Sequence, residues 1–197
     1  MFEIPNQIKG LIFDCDGTIA DNMHLHWEAW EAAMQSLGAH CPVEFLNSLR
    51  GVPTRNIIPI FNEQFGYAID ADEFSAKKNE FFDALVIKTT PIVPVVEIIH
   101  RYHNALPMAV ASGGGRKNVI RTLEILELDR HFQAIITADD PVAPKPSPDI
   151  FIEAANRIGV PPEQCLVFED GDSGLEAGIK AKMSVVDIRT KEWIVAT

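Results

Sequence analysis

Four short stretches of this chain carry side chains suited to phosphoryl chemistry: Asp14-Cys15-Asp16-Gly17-Thr18, Ser112-Gly113-Gly114, Pro144-Lys145-Pro146 and Glu169-Asp170. A phosphate ester repels an anionic nucleophile. A carboxylate can attack it only when the phosphoryl charge is neutralised, and a divalent cation together with a lysine does this. Asp14 is the candidate nucleophile, forming an aspartyl-phosphate. Asp16, two residues on, is the candidate acid that protonates the leaving alkoxide and the base that then activates water. Mg2+ prefers hard oxygen ligands and keeps several waters. Asp14 and Asp170 offer carboxylate oxygens to it, Asp16 a backbone carbonyl, and Glu169 completes the acidic set. Gly17 permits tight backbone geometry beside a phosphate, and Thr18 offers a hydroxyl and an amide. Ser112 and the amides of Gly113 and Gly114 can bind phosphoryl oxygens. Lys145 is the candidate phosphate cation, its approach restricted by the prolines on either side.

Each stretch has a plainer reading too. Asp-x-Asp-Gly occurs in solvated turns and calcium loops, Ser-Gly-Gly-Gly in flexible loops, and Lys-Pro-x-Pro in ordinary turns. Glu169-Asp170-Gly171-Asp172 also suits the acidic start of a helix. Their order and position favour catalysis, because each follows a predicted strand.

Those strands are short apolar runs: Gly10–Phe13, Met108–Ala111, 134–137, 166–168 and 184–188. Helical patterns separate the later ones, over about 93–103, 117–126, 149–158 and 174–180. Strands alternating with helices predict an α/β fold with a parallel, Rossmann-like sheet. In such sheets ligands bind beyond the carboxyl ends of the strands. Between about residues 22 and 88 the pattern is helical throughout. Met23, Trp27, Trp30, Met34 and Leu37 form one stripe, stopped at Gly38. Thr54 is placed to cap a second helix ending near Gly66, and Asp70 or Asp72 to open a third with Phe74, Phe81 and Leu85 on one face. The expected organisation is a core of residues 1–21 and 89–197 with a small helical cap, 22–88, inserted after the first strand.

Composition narrows the class. The chain of 197 residues is 47% hydrophobic and 23% charged, as soluble globular proteins are. Its net charge of −11 argues against nucleic acid and anionic membranes as partners. A small-molecule phosphate needs only a local cation and directed donors. Cys15, Cys41 and Cys165 form no C-x-x-C pair, so neither a disulfide framework nor a zinc site is expected, and a reduced cytoplasmic setting is. The first residues lack a secretory pattern, and no run is long enough to cross a bilayer. A monomer is the expected state.

In this order the four stretches resemble the four motifs of the haloacid dehalogenase superfamily, over nearly the whole chain. The resemblance implies the nucleophile loop at Asp14–Thr18, the second motif at Ser112, the third at Lys145 and the acidic metal motif at Glu169-Asp170. Phe168-Glu169-Asp170 and Lys145–Phe151 are similar to the β-phosphoglucomutase-like subfamily, whose mobile cap the helical insertion resembles. The short chain, Gly51-Val52-Pro53-Thr54 and Val186–Arg189 look most like the YqaB type of small sugar-phosphate phosphatases, associated with fructose 1-phosphate. Two positions depart from the pattern. Gly171 stands where related sequences often have Ser, and Lys182 where they tend to have Gly.

The resemblance also points to cap residues. His26 matches a subfamily position near the active site and Lys78 a cap lysine; read bare, they are a packing histidine and a solvated charge. Arg55 could grip a second phosphate or hydroxyls, or be a solvated charge at a helix start. Arg116, Lys117 and Asn118 follow the glycines and could help bind phosphate. The implied function is Mg2+-dependent hydrolysis of a sugar phosphate. The alternative is a phosphomutase that shields the same aspartyl-phosphate from water. A metabolite sensor on the same fold would be expected to lack Asp14, Asp16 or Lys145.

Overall fold

The computed structural model describes residues 3–49 and 52–194. Along the chain the strands and helices are β1 (Gly10–Phe13), β2 (Ala20–Asp21), α1 (Met23–Ser36), α2 (Val43–Ser48), α3 (Thr54–Phe65), α4 (Ala71–Leu85), β3 (Thr90–Pro91), α5 (Val93–Tyr102), β4 (Met108–Ala111), α6 (Arg116–Ile125), β5 (Ala134–Ile136), α7 (Asp149–Ile158), β6 (Cys165–Glu169), α8 (Asp172–Lys180), β7 (Ser184–Asp187) and β8 (Glu192–Ile194).

Six strands form one sheet in the order β5-β4-β1-β6-β7-β8. The first five in that order run parallel, as the alternation of strands and helices predicts. β1, β4 and β6 are buried along their whole length, the condition in which strands read as apolar runs. Their side chains alternate between two apolar layers. Ile12, Ala109, Ala111 and Val167 meet Phe151, Ala154 and Ala177 from α7 and α8. Leu11, Phe13, Val110 and Phe168 meet Val95, Ile99, Val119 and Leu123 from α5 and α6. Phe13 and Phe168, direct partners in the β1–β6 register, stack with ring centroids 4.8 Å apart.

β8 is antiparallel to β7 and makes the sheet mixed at that edge. A three-residue strand offers too short an alternation to read from sequence. It follows β7 through a turn in which Lys191 N–H donates to the Asp187 carbonyl at 2.7 Å. β2 and β3 form a separate antiparallel ribbon where the chain leaves and rejoins the sheet domain.

Among the described residues the chain between β2 and β3 forms four α-helices and a short 3-10 turn (Val86–Lys88), where the pattern predicts three helices. The additional one, α2, spans six residues and is too short to show a helical stripe. These helices share their own apolar cluster, which includes Trp30, Met34, Phe45, Phe61 and Phe74. Asp70 caps α4, accepting from the N–H groups of Asp72 at 3.0 Å and Glu73 at 2.8 Å. Thr54 is the first residue of α3, with Pro53 in the capping position. The buried face of α4 is Phe74, Lys78 and Phe82, not Phe74, Phe81 and Leu85. A lysine in the stripe hid that register, and Phe81 is exposed. Among the described residues no helix is long and apolar enough to cross a membrane.

Lys182, in the turn between α8 and β7, has φ of 60°. A side chain in this left-handed region clashes with its own backbone, a cost of about 1–2 kcal/mol that glycine avoids. Replacing Lys182 with Gly is expected to raise stability by about 1 kcal/mol in urea unfolding. An unchanged or lower midpoint would show that this backbone carries no such cost.

Candidate active site

The order of the sheet explains where the reactive residues meet. From β1 the chain moves to β4 and β5 on one side, then returns to β6 and β7 on the other. This reversal opens a crevice beyond the carboxyl ends of β1, β4 and β6. Asp14 follows β1, Ser112 follows β4, and Glu169 and Asp170 stand at the end of β6. Lys145 comes from the loop between β5 and α7.

The Lys145 ammonium lies 2.6 Å from Asp14 Oδ1 and 3.4 Å from Glu169 Oε1, and all three groups are buried. Thr18 Oγ1 donates to Asp170 Oδ1 at 3.1 Å. Asp14, Glu169 and Asp170 each present a carboxylate oxygen within 4.8 Å of the others, so the three could together hold a metal ion. Two glycines make this packing possible. Gly17, with φ of 87°, lies so close to Asp170 that a Cβ would overlap its carboxylate, and a Cβ at Gly174 would overlap Glu169.

One ammonium faces three carboxylates. Burial works against the charge of Lys145, but Asp14 and Glu169 outweigh it and hold the ammonium protonated well above its usual range. For Asp14, burial and repulsion from Asp170 exceed the attraction of Lys145 and push the carboxyl up to about 7. Burial and the neighbouring Asp14 raise Glu169 well above the carboxylate range. The site therefore has oxygen donors and an excess of negative charge, which is the demand a hard divalent cation meets.

Asp16 has a different environment. Its Oδ1 accepts from Asn22 Nδ2 at 2.6 Å and lies 3.2 Å from His26 Nε2. On the other side of the imidazole, Lys78 Nζ is 2.9 Å from Nδ1. With the ammonium donating to Nδ1, the ring proton belongs on Nε2, facing Asp16. Burial opposes the charge of Asp16, but His26, Asn22 and Lys78 overcome it and hold its pKa at about 2. Burial brings Lys78 down to about 8, against the pull of Asp16. Burial, aided by Lys78, also lowers His26, which favours its neutral form. The His26 ring stacks on Phe82, with centroids 4.0 Å apart.

The cavity over these groups is lined by Asp14, Asp16, His26, Lys78, Ser112, Gly113, Gly114, Lys145, Glu169, Asp170 and Gly171, with apolar residues of α1 to α3 opposite. Ser112 Oγ accepts from the Gly114 N–H at 3.1 Å. Gly17 and Thr18 are not among the lining residues and contact Asp170 instead. Cys15 is buried, and burial pushes its thiol well up, away from the reactive thiolate.

Four sequence candidates lie away from the cavity. Arg55 is exposed and pairs with Asp72, Nε to Oδ1 at 2.6 Å. Arg116 pairs with Asp140 at 2.6 Å and donates to the Ile135 carbonyl at 3.2 Å. Lys117 pairs with Asp83 of α4, and Asn118 donates to Asn79 of the same helix at 3.0 Å. In each case a nearby partner captures the polar group. Asn22 was not anticipated, because an amide six residues beyond Asp16 carries no motif signal.

Residues 11–188 match the haloacid dehalogenase-like hydrolase family. The chain belongs to that family. A fructose-1-phosphate phosphatase of Escherichia coli, YqaB, is 34% identical over 91% of this chain and 96% of its own. The crystal structure of CbbY from Rhodobacter sphaeroides in complex with phosphate superposes with a TM-score of 0.82 at 25% identity, covering 90% of this chain and 84% of that one. A β-phosphoglucomutase from Clostridium difficile gives 0.78 at 25% identity, covering 90% and 83%. This family membership makes the chain an enzyme, a phosphoric monoester hydrolase.

Gly17→Ala should push the Asp170 carboxylate aside while leaving the sheet intact. Phosphatase activity is expected to fall about 10–100-fold with an unchanged far-ultraviolet spectrum. Full activity would mean that the close approach to Asp170 does not matter.

Proposed function

We propose that this chain is a Mg2+-dependent phosphatase of a small sugar monophosphate such as fructose 1-phosphate. The observation that carries this reading is the buried Lys145–Asp14 contact within the acidic cluster. The named relative supports the substrate. Residues 1–21 and 89–197 serve as the catalytic core and 22–88 as a cap over the cavity. Three buried, unpaired cysteines suit a reducing cytoplasm.

Asp14, Glu169 and Asp170 would hold the metal, with the backbone at Asp16 nearby. The bound ion would supply charge neutralisation to the phosphoryl oxygens. Lys145 and the Ser112–Gly114 loop bind the remaining oxygens. Asp14 attacks phosphorus and the ester P–O bond breaks. Asp16 gives the leaving alkoxide its proton. Asp16 then takes a proton from water, whose oxygen attacks the phosphorus, releasing phosphate and restoring Asp14. At rest Asp16 is anionic, the state required in the second half. An arriving phosphate dianion favours its protonated form for the first half.

Asp14→Asn is expected to abolish phosphate release from a panel of sugar phosphates, and chelation of the divalent metal to abolish it reversibly in the wild type. Release that survives both changes would exclude this mechanism.

Lys78 acts through His26 on Asp16 and helps hold it anionic, the state required in the second half of the reaction. Lys78→Met is expected to raise the Asp16 pKa and move the acidic limb of the kcat–pH profile upward. The shift should be the same for sugar phosphates and p-nitrophenyl phosphate, because both pass through the same aspartyl-phosphate. A loss of equal size at every pH would make Lys78 a packing residue only.

A further inference from the structure

The wall of the cavity opposite the phosphoryl-binding residues differs sharply in chemistry from the floor. It is formed by Met23 and Trp27 of α1, Leu46 of α2, Leu49 and Val52 beyond it, and Ile57 of α3. Met23, Trp27 and Trp30 follow i, i+4, i+7 spacing and share one face of α1. Trp30 is 4% exposed and packs against Phe74 at 4.6 Å between centroids. Trp27 sits at the half-buried edge of the same cluster and lines the cavity. Among the described lining residues the cations are Lys145, held by Asp14, and Lys78, held by His26.

With the phosphorus held near Asp14, the leaving group must lie between the carboxylates and this wall. We propose that the leaving group is a closed sugar ring whose flat C–H face lies on the Trp27 indole, so that the enzyme selects ring-form sugar monophosphates over open-chain polyol phosphates. The inference rests on the phosphatase reading above. A hydroxyl pressed on an apolar wall loses water without gaining a partner, at a cost of up to a few kcal/mol. An open chain carries a hydroxyl on every carbon and rotates them all. A ring gathers its hydrogens on a face and its hydroxyls at its edge, where water and polar lining groups such as Thr54 can receive them. A flat apolar face against an aromatic one is the complementary arrangement.

The test compares kcat/KM on fructose 1-phosphate and glucose 6-phosphate with that on mannitol 1-phosphate and sorbitol 6-phosphate. Acetyl phosphate serves as a probe of the chemistry without a sugar. The wild type is expected to favour the ring substrates about tenfold or more. Trp27→Ala should erase that preference by lowering the ring values, with acetyl phosphate turnover within about threefold of wild type. Trp27→Phe should retain most of the preference. Equal wild-type values on ring and chain overturn the proposal, as does a Trp27→Ala loss shared equally by all five substrates. Turnover of acetyl phosphate with none of the ring sugars overturns it while sparing the phosphatase chemistry. If wild-type protein releases no phosphate from any of the five, the phosphatase reading itself fails.

Discussion

The contact between the Lys145 ammonium and Asp14 is the constraint on which the rest of the structure depends. Taking such a pair out of water costs several kcal/mol per ion, and the mutual attraction returns that only when the geometry is good. Here the pair also sits beside two further carboxylates, Glu169 and Asp170. Apolar residues of similar volume would make a more stable protein at this place. The arrangement suits the proposed reaction, in which concentrated negative charge would attract a cation and the lysine would meet the phosphoryl group.

Four loops must converge to build it, and a parallel sheet whose strand order reverses beside β1 brings them together. The two apolar layers on its faces hold β1, β4 and β6 in fixed register, so the strand ends cannot drift apart. The glycines serve the same end at short range. Gly17 lets the loop after β1 touch Asp170, and Gly174 lets the first turn of α8 touch Glu169.

The helical segment brings polar groups to Asp16 as well as apolar residues to the cavity. α4 carries Lys78 to His26, and through it to Asp16, while Phe82 supports the imidazole ring. Asp14 and Asp16 are neighbours in sequence, yet their environments separate them. Burial among carboxylates lifts Asp14, whereas His26, Asn22 and Lys78 overcome burial and keep Asp16 anionic. Two carboxylates driven apart in this way can take different roles in one reaction. The bonds from Lys117 and Asn118 to α4 tie this helical layer to the sheet.

What the sequence determined by itself is local. Apolar runs bounded by polar loops mark β1, β4, β6 and β7, and the reactive residues sit immediately after strands, because strand burial and loop chemistry leave their signatures within a few residues. The helical character of the segment after β2 and the caps at Asp70 and Gly38 are legible for the same reason. Elements too short to show a period, such as α2 and β8, are not. Tertiary structure alone decided which charges face the cavity. Lys78 and Arg55 look alike in sequence, each a cation in a helical stretch. Lys78 is buried because an imidazole and an aromatic ring from other turns receive it. Arg55 stays outside because Asp72, distant in sequence, meets it there. Pairing across such separations depends on how the helices pack, and no local pattern of residues encodes it.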